Sequence, residues 1–303
     1  VRFAVSYSTP FFGVDPERLI GYAQHAERCG FEAIYLPEHI ALYPGAAVGP
    51  TEITPSLPFA DPLDALSFVA AATDRILLGT AVLLLPYHHP VVLAKRLATI
   101  DVLSKGRMRL LTVGLGTLPG EARAVGVDFA TRGRRADEAI DVLRLLWSGD
   151  AEGVSFDGEF FAFENLCSYP KPFRGEPLPI HVGGSSRAAA RRAGSRGDGF
   201  FPGGMLGPTE RATQLEIARA AAGAAGRGIE TFDYTRWGSI DMPVERAEGL
   251  ADQGVTRVVV SASTGDPERA RDELSAFADR FDLANARNRL PRGHRRGMPP
   301  QTV

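Results

Sequence analysis

Cysteine is nearly absent: Cys29 and Cys167 are the only two in 303 residues, and no CxxC occurs. A disulfide framework and a cysteine-rich zinc site are therefore excluded. Lysine is also scarce, found only at 95, 105 and 171, so the other basic side chains are arginines. Charge of one sign is missing as well. With 34 basic and 36 acidic residues the formal net charge is −2, so there is no basic excess of the kind a dedicated nucleic-acid binder shows. The longest apolar stretch, residues 76–87, falls short of the roughly 20 residues a membrane helix needs. Residues 1–5 read directly as a strand, without the h-region and cleavage site of a signal peptide, and a cytoplasmic protein is expected. Walker-A spacing and HExxH are absent, and His88-His89 have no carboxylate at ligand spacing. Neither nucleotide hydrolysis nor a metal site is expected.

What is present is an alternation. The chain is 44% hydrophobic with 33 Gly and 22 Pro, an ordinary composition for a large core. Apolar runs at 3–7, 33–36, 76–84, 108–113, 180–182, 199–201, 235–240 and 257–261 read as strands. Several are continuous (Ile76-Leu77-Leu78, Val258-Val259-Val260), as parallel strands buried on both faces should be. Each is followed by a stretch with helical spacing. Asp15-Pro16, Asp61-Pro62 and Asp266-Pro267 open three of these helices, the aspartate as cap and the proline in the first turn. Eight strand–helix units predict an α/β fold, a (β/α)8 TIM barrel over residues 1–283, with an open doubly wound sheet as the alternative.

Two long loops interrupt the rhythm, residues 40–60 after strand 2 and 150–179 before strand 5. Asp157-Gly158 in the second marks a tight hairpin. Its Phe156, Phe160, Phe161, Phe163, Tyr169 and Phe173 either pin the insertion to the barrel or wall an aromatic pocket. Residues 284–303, with five Arg and no acidic residue, read as a basic, flexible tail.

In such a barrel the site lies at the C-terminal ends of the strands. Strand 2 delivers Glu38-His39, a carboxylate beside an imidazole, a side chain that can pass a proton during a reaction. Neighbours on a strand point to opposite faces, so the two need not act together. Strand 5 delivers Gly183-Gly184-Ser185-Ser186 at a helix start, where backbone N–H groups suit a phosphate. Strand 4 delivers Gly114-Leu115-Gly116-Thr117. Gly120 is one place late for GxGxxG, and the unit is not the first of a nucleotide-binding half, so a Rossmann reading fails.

Taken in order, several segments resemble the bacterial-luciferase-like flavin and deazaflavin oxidoreductases, nearest the branch that uses coenzyme F420. They are Tyr35-Leu36-Pro37-Glu38-His39, Leu78-Gly79-Thr80-Ala81-Val82, His89-Pro90-Val91 with Ser104-Lys105-Gly106-Arg107, Arg132-Gly133, Val182-Gly183-Gly184-Ser185-Ser186 and Gly197-Asp198-Gly199-Phe200. The resemblance spans residues 3–281. It implies a ring in the barrel mouth over a cis peptide at Ala81–Val82. It also implies Glu38 near the ring edge, His39 as acid/base, and Gly116, Thr117, Val182, Gly183, Gly184 and Ser185 around the coenzyme. Departures from the family pattern are Glu38 for Asp, His88 for Arg, Phe200 for Trp, and Thr117 where an acidic residue often follows strand 4, with Glu121 the nearest candidate.

The expected function is F420-dependent hydride transfer to or from a small organic substrate, with His39 passing the proton. The alternative is an FMNH2-dependent monooxygenase supplied by a partner flavin reductase. A non-catalytic flavin-binding barrel is the third reading. Relatives are often homodimers, so the resemblance implies a dimer too.

Overall fold

The structure is a computed structural model describing residues 1–204 and 206–288. Eight parallel strands close into a barrel: β1 Arg2–Ser6, β2 Ala33–Leu36, β3 Leu77–Leu84, β4 Leu110–Gly114, β5 Ile180–Gly183, β6 Gly199–Phe201, β7 Asp233–Trp237 and β8 Arg257–Val260. They follow one another around the barrel in chain order, and β1 pairs with β8 through Phe3↔Val258. The helices that follow them are α1 Pro16–Cys29, α2 Pro62–Ala72, α3 Pro90–Leu103, α4 Arg132–Ser148, α5 Arg187–Arg196, α6 Pro208–Ala224, α7 Val244–Asp252 and α8 Pro267–Arg280. No helix of the described residues is long and apolar enough to cross a membrane.

The aspartate caps work as the sequence predicts. Asp15 accepts from Arg18 N, Asp61 from Leu63 N and Asp64 N, and Asp266 from Arg269 N, each cap worth about 1 kcal/mol. Strand side chains alternate between two environments. Val5, Ile34, Leu78, Leu111, Val113 and Val182 face the helices in one large core, while Ala4, Tyr35, Leu110, Phe201 and Val259 fill the barrel interior. Gly79 has no side chain because the Tyr35 ring lies where its Cβ would be. The Ser104–Arg107 segment is structural: the buried Arg107 guanidinium donates to Ala70 O and Thr73 O at the end of α2 and to Ile76 O. Those carbonyls would otherwise be orphaned.

At the N-terminal ends of the strands lies a partly buried ionic cluster. Arg257, 1% exposed, donates to Glu32 at 2.6 Å and to Asp233 at 2.9 Å, and Arg2 also bonds both carboxylates. His181, 2% exposed, faces Asp233 at 3.7 Å. Burial pushes its imidazole down to about 4 from 6.5, against the pull of Asp233. Burial alone would raise Asp233, but Arg257, His181 and Arg2 hold it at about 2.

The folded chain thus keeps His181 neutral where the unfolded chain protonates it, so stability should fall as pH drops from 6.5 towards 4, by about 3 kcal/mol from this group. The Asp233 contribution is lost lower, as pH falls through the range between the ordinary carboxylate value of 3.8 and about 2. Urea unfolding of wild type and His181→Asn at neutral pH and near pH 4 should show the upper slope flattened in the variant. An equal slope in both would assign it elsewhere.

One expectation needs correction, and another falls mostly outside the described residues. The hairpin is wider than an Asp-Gly turn: its strands are Val154–Asp157 and Ala162–Leu166, closed by Gly158 N on Phe161 O. The Glu138 carboxylate takes the N–H groups of Glu159 and Phe160, and buried Phe161 packs on Arg135 and His89, which holds the loop open. Most of the insertion's aromatics serve attachment: Phe156 and Phe163 pack on the core and Phe173 lies over Gly106, while Tyr169 is exposed. Most of the tail expected at 284–303 lies outside the described residues, which end with a short helix, Leu283–Asn288.

Candidate active site

At the opposite end of the barrel, β2 releases Glu38 and His39 in different directions. Glu38, 4% exposed, turns towards the end of β3: Leu84 N donates to its Oε2 at 2.6 Å and His88 Nε2 lies 2.9 Å from its Oε1. His39 turns towards the loop after β4, where its Nδ1 lies 3.1 Å from Glu121 Oε2. Phe59, from the loop at 40–60, packs edge-on against the imidazole with centroids 4.8 Å apart. Adjacent in sequence, the two residues belong to separate carboxylate–imidazole pairs.

Glu121 is fully buried on a six-residue helix, Pro119–Ala124, and its Oε1 also accepts from Ile40 N at 2.6 Å. Sequence reasoning singled out this residue only as a displaced acid. Its helix is too short to show periodicity, and 82 residues separate it from His39. Missed too were Tyr43, whose hydroxyl accepts from Gly120 N, and His88 as the partner of Glu38.

The peptide Ala81–Val82 is cis, as the resemblance implies, and β3 carries a register shift there against β4. Val82 pushes between two neighbours: its methyls stand 2.5 Å from where a Cβ would be on Gly114 and on Gly183. The space beside Gly116 (φ +74°) is filled by the Tyr87 phenol. Tyr87 Oη is buried and has no partner among the described residues. Burial, then the negative charge of Glu121, pushes it up to about 12, so it stays a donor at neutral pH.

The remaining predicted residues separate into two groups. Gly184 (φ +119°) and Ser185 are exposed at the end of β5, and Thr117 is exposed after β4. The Val182 side chain is buried among the helices and can meet a ligand only through its backbone. Ser186 caps α5 through Ala189 N, leaving the first N–H groups of that helix outward. Beside them, Ser185, Arg187, Leu206, Thr209, Thr213 and Gln214 line a cavity of about 270 Å³ together with Glu210, whose carboxylate accepts from Gly207 N. Guanidinium, hydroxyl and helix N–H donors together suit a phosphate group; the loop after β2 adds the His39 imidazole and the turn after β3 the buried Tyr87 phenol. These residues fit a phosphate-bearing ring coenzyme.

The profile of the family described as luciferase-like monooxygenase matches residues 3–297. The F420-dependent glucose-6-phosphate dehydrogenase of Nakamurella multipartita is 29% identical over 298 residues, covering 95% of this chain and 82% of that protein. Among solved structures, the fold is shared with the monooxygenase RslO1 from Streptomyces bottropensis (TM-score 0.73, 22% identity, 94% of this chain and 100% of that one). It is shared also with an F420-dependent secondary alcohol dehydrogenase in complex with an F420-acetone adduct (TM-score 0.77, 16% identity, 93% and 98%).

Proposed function

The chain belongs to the luciferase-like monooxygenase family, whose members are oxidoreductases, and from that premise we propose that it is an F420-dependent oxidoreductase. Hydride would pass between C5 of the deazaflavin and a small organic substrate while His39 exchanges the accompanying proton. When bound, the coenzyme supplies a carbon centre that carries hydride and reacts poorly with oxygen. The chain's own residues supply position and protons. Val82 offers an apolar platform between β4 and β5, and Ser185, Arg187 and the start of α5 would hold the coenzyme's phosphate. Glu38 ties the end of β2 to the turn after β3.

The observation that carries the reading is His39 itself. Its Nδ1 is anchored on a buried carboxylate, its side chain is 19% exposed, and Nε2 has no hydrogen-bond partner among the described residues. That is the arrangement of a proton-transfer group open to a ligand. F420 is favoured over FMN because the relatives named above as dehydrogenases are named as F420-dependent. The second reading, a monooxygenase using FMNH2 from a partner flavin reductase, is favoured by the fold shared with RslO1. The reading takes the enzyme to work in the cytoplasm on a small molecule, as a homodimer, without nucleic acid or membrane.

Titration of the purified protein with F420 and with FMN, followed by fluorescence, separates the two. Saturable F420 binding in the micromolar range with no FMN binding is the expected result. Binding of FMN alone would overturn the F420 assignment.

A further inference from the structure

Resting on the reading of His39 as the proton-transfer group, we propose that Glu121 is its positioning residue, fixing the imidazole in the tautomer that carries hydrogen on Nδ1 and presents a bare Nε2. The argument is one of donors and acceptors. A carboxylate can only accept, and Glu121 faces donors throughout. Oε1 takes Ile40 N–H at 2.6 Å and lies 3.3 Å from Ala41 N, and Oε2 lies 3.1 Å from His39 Nδ1. A neutral imidazole has one ring proton, so placing it on Nδ1 leaves Nε2 as a base. His39 is thereby set to receive a proton rather than to give one at the start of a turnover.

The carboxylate has little freedom to do otherwise. Glu121 is 0% exposed, flanked by Leu118 at 1% and Ala122 at 0%. Gly120 before it lies under the Tyr43 ring, where a Cβ would collide, and donates its N–H to the Tyr43 hydroxyl at 3.2 Å. Phe59 closes the other side of the imidazole. The acid next to His39 in sequence cannot serve in this role, because both oxygens of Glu38 are engaged by Leu84 N–H and His88.

The test reads the tautomer directly. Long-range proton–nitrogen correlation spectra of 15N-labelled protein without coenzyme, at alkaline pH and assigned against His39→Asn, should show Nδ1 protonated and Nε2 unprotonated in wild type. In Glu121→Gln the amide oxygen keeps Ile40 N–H, which turns the NH2 group towards Nδ1 and inverts the tautomer. With F420, kcat of that variant should fall by about 10²-fold or more while KM for the coenzyme holds. Glu121→Asp, which keeps an acceptor, should recover part of kcat with the wild-type tautomer.

A wild-type spectrum with Nε2 protonated would overturn the proposal whether or not any variant folds. So would a Glu121→Gln protein with unchanged tautomer and kcat. His39→Ala separates the two levels: undiminished turnover there defeats the functional reading itself, whereas collapsed turnover beside the opposite wild-type tautomer defeats only the role of Glu121.

Discussion

His39→Ala is expected to cut turnover with F420 by about 10²–10⁴-fold, the usual contribution of a positioned acid/base group, with little change in coenzyme affinity. The split follows from where the side chain's contacts lie. The imidazole bonds Glu121 and packs on Phe59, and the donors suited to the coenzyme's phosphate are at the end of β5 and the start of α5. Nothing in that second group depends on His39. Single-turnover kinetics together with fluorescence titration checks the prediction. A parallel loss of binding and turnover would make His39 a coenzyme ligand instead, and full turnover would remove it from the reaction.

The largest expected effect on stability lies at the other end of the barrel. Arg257→Met keeps the volume and removes the charge, leaving Glu32 and Asp233 facing each other where three donor nitrogens had been. Breaking one side of a buried ion pair costs about 3–5 kcal/mol. The lower end applies here, because the carboxylates retain 18–20% side-chain exposure and Arg2 still reaches both. A lower urea midpoint with an unchanged slope is the expected measurement. Adding Glu32→Gln and Asp233→Asn should recover most of the loss, since the cost arises from stranded carboxylates rather than from missing contacts. Turnover per folded molecule should be unaffected, the cluster being at the N-terminal ends of the strands.

The barrel was legible because its signals are local. Each strand is a short apolar run, and Asp15, Asp61 and Asp266 announce their helices within a few residues. The cis peptide at Ala81–Val82 was legible only through the family resemblance, since nothing in the composition of that segment marks it. The pairing of His39 with Glu121 was not legible at all: its partner sits on a short helix in another unit, and the neighbouring Glu38 was the more conspicuous acid. The glycines were read in part only. Gly116 and Gly183 were expected where backbone approaches a ligand, and each also makes room for a side chain of the same protein, Tyr87 and Val82. Long-range packing of that kind leaves no periodic trace.

The seating of Val82 between Gly114 and Gly183 constrains how this scaffold can be adapted. Three strands share that one contact, so enlarging either glycine by a methyl would displace Val82 itself. Substrate range should therefore evolve, and be engineered, through residues 40–60, a surface segment that brings Phe59 beside the imidazole without taking part in barrel closure.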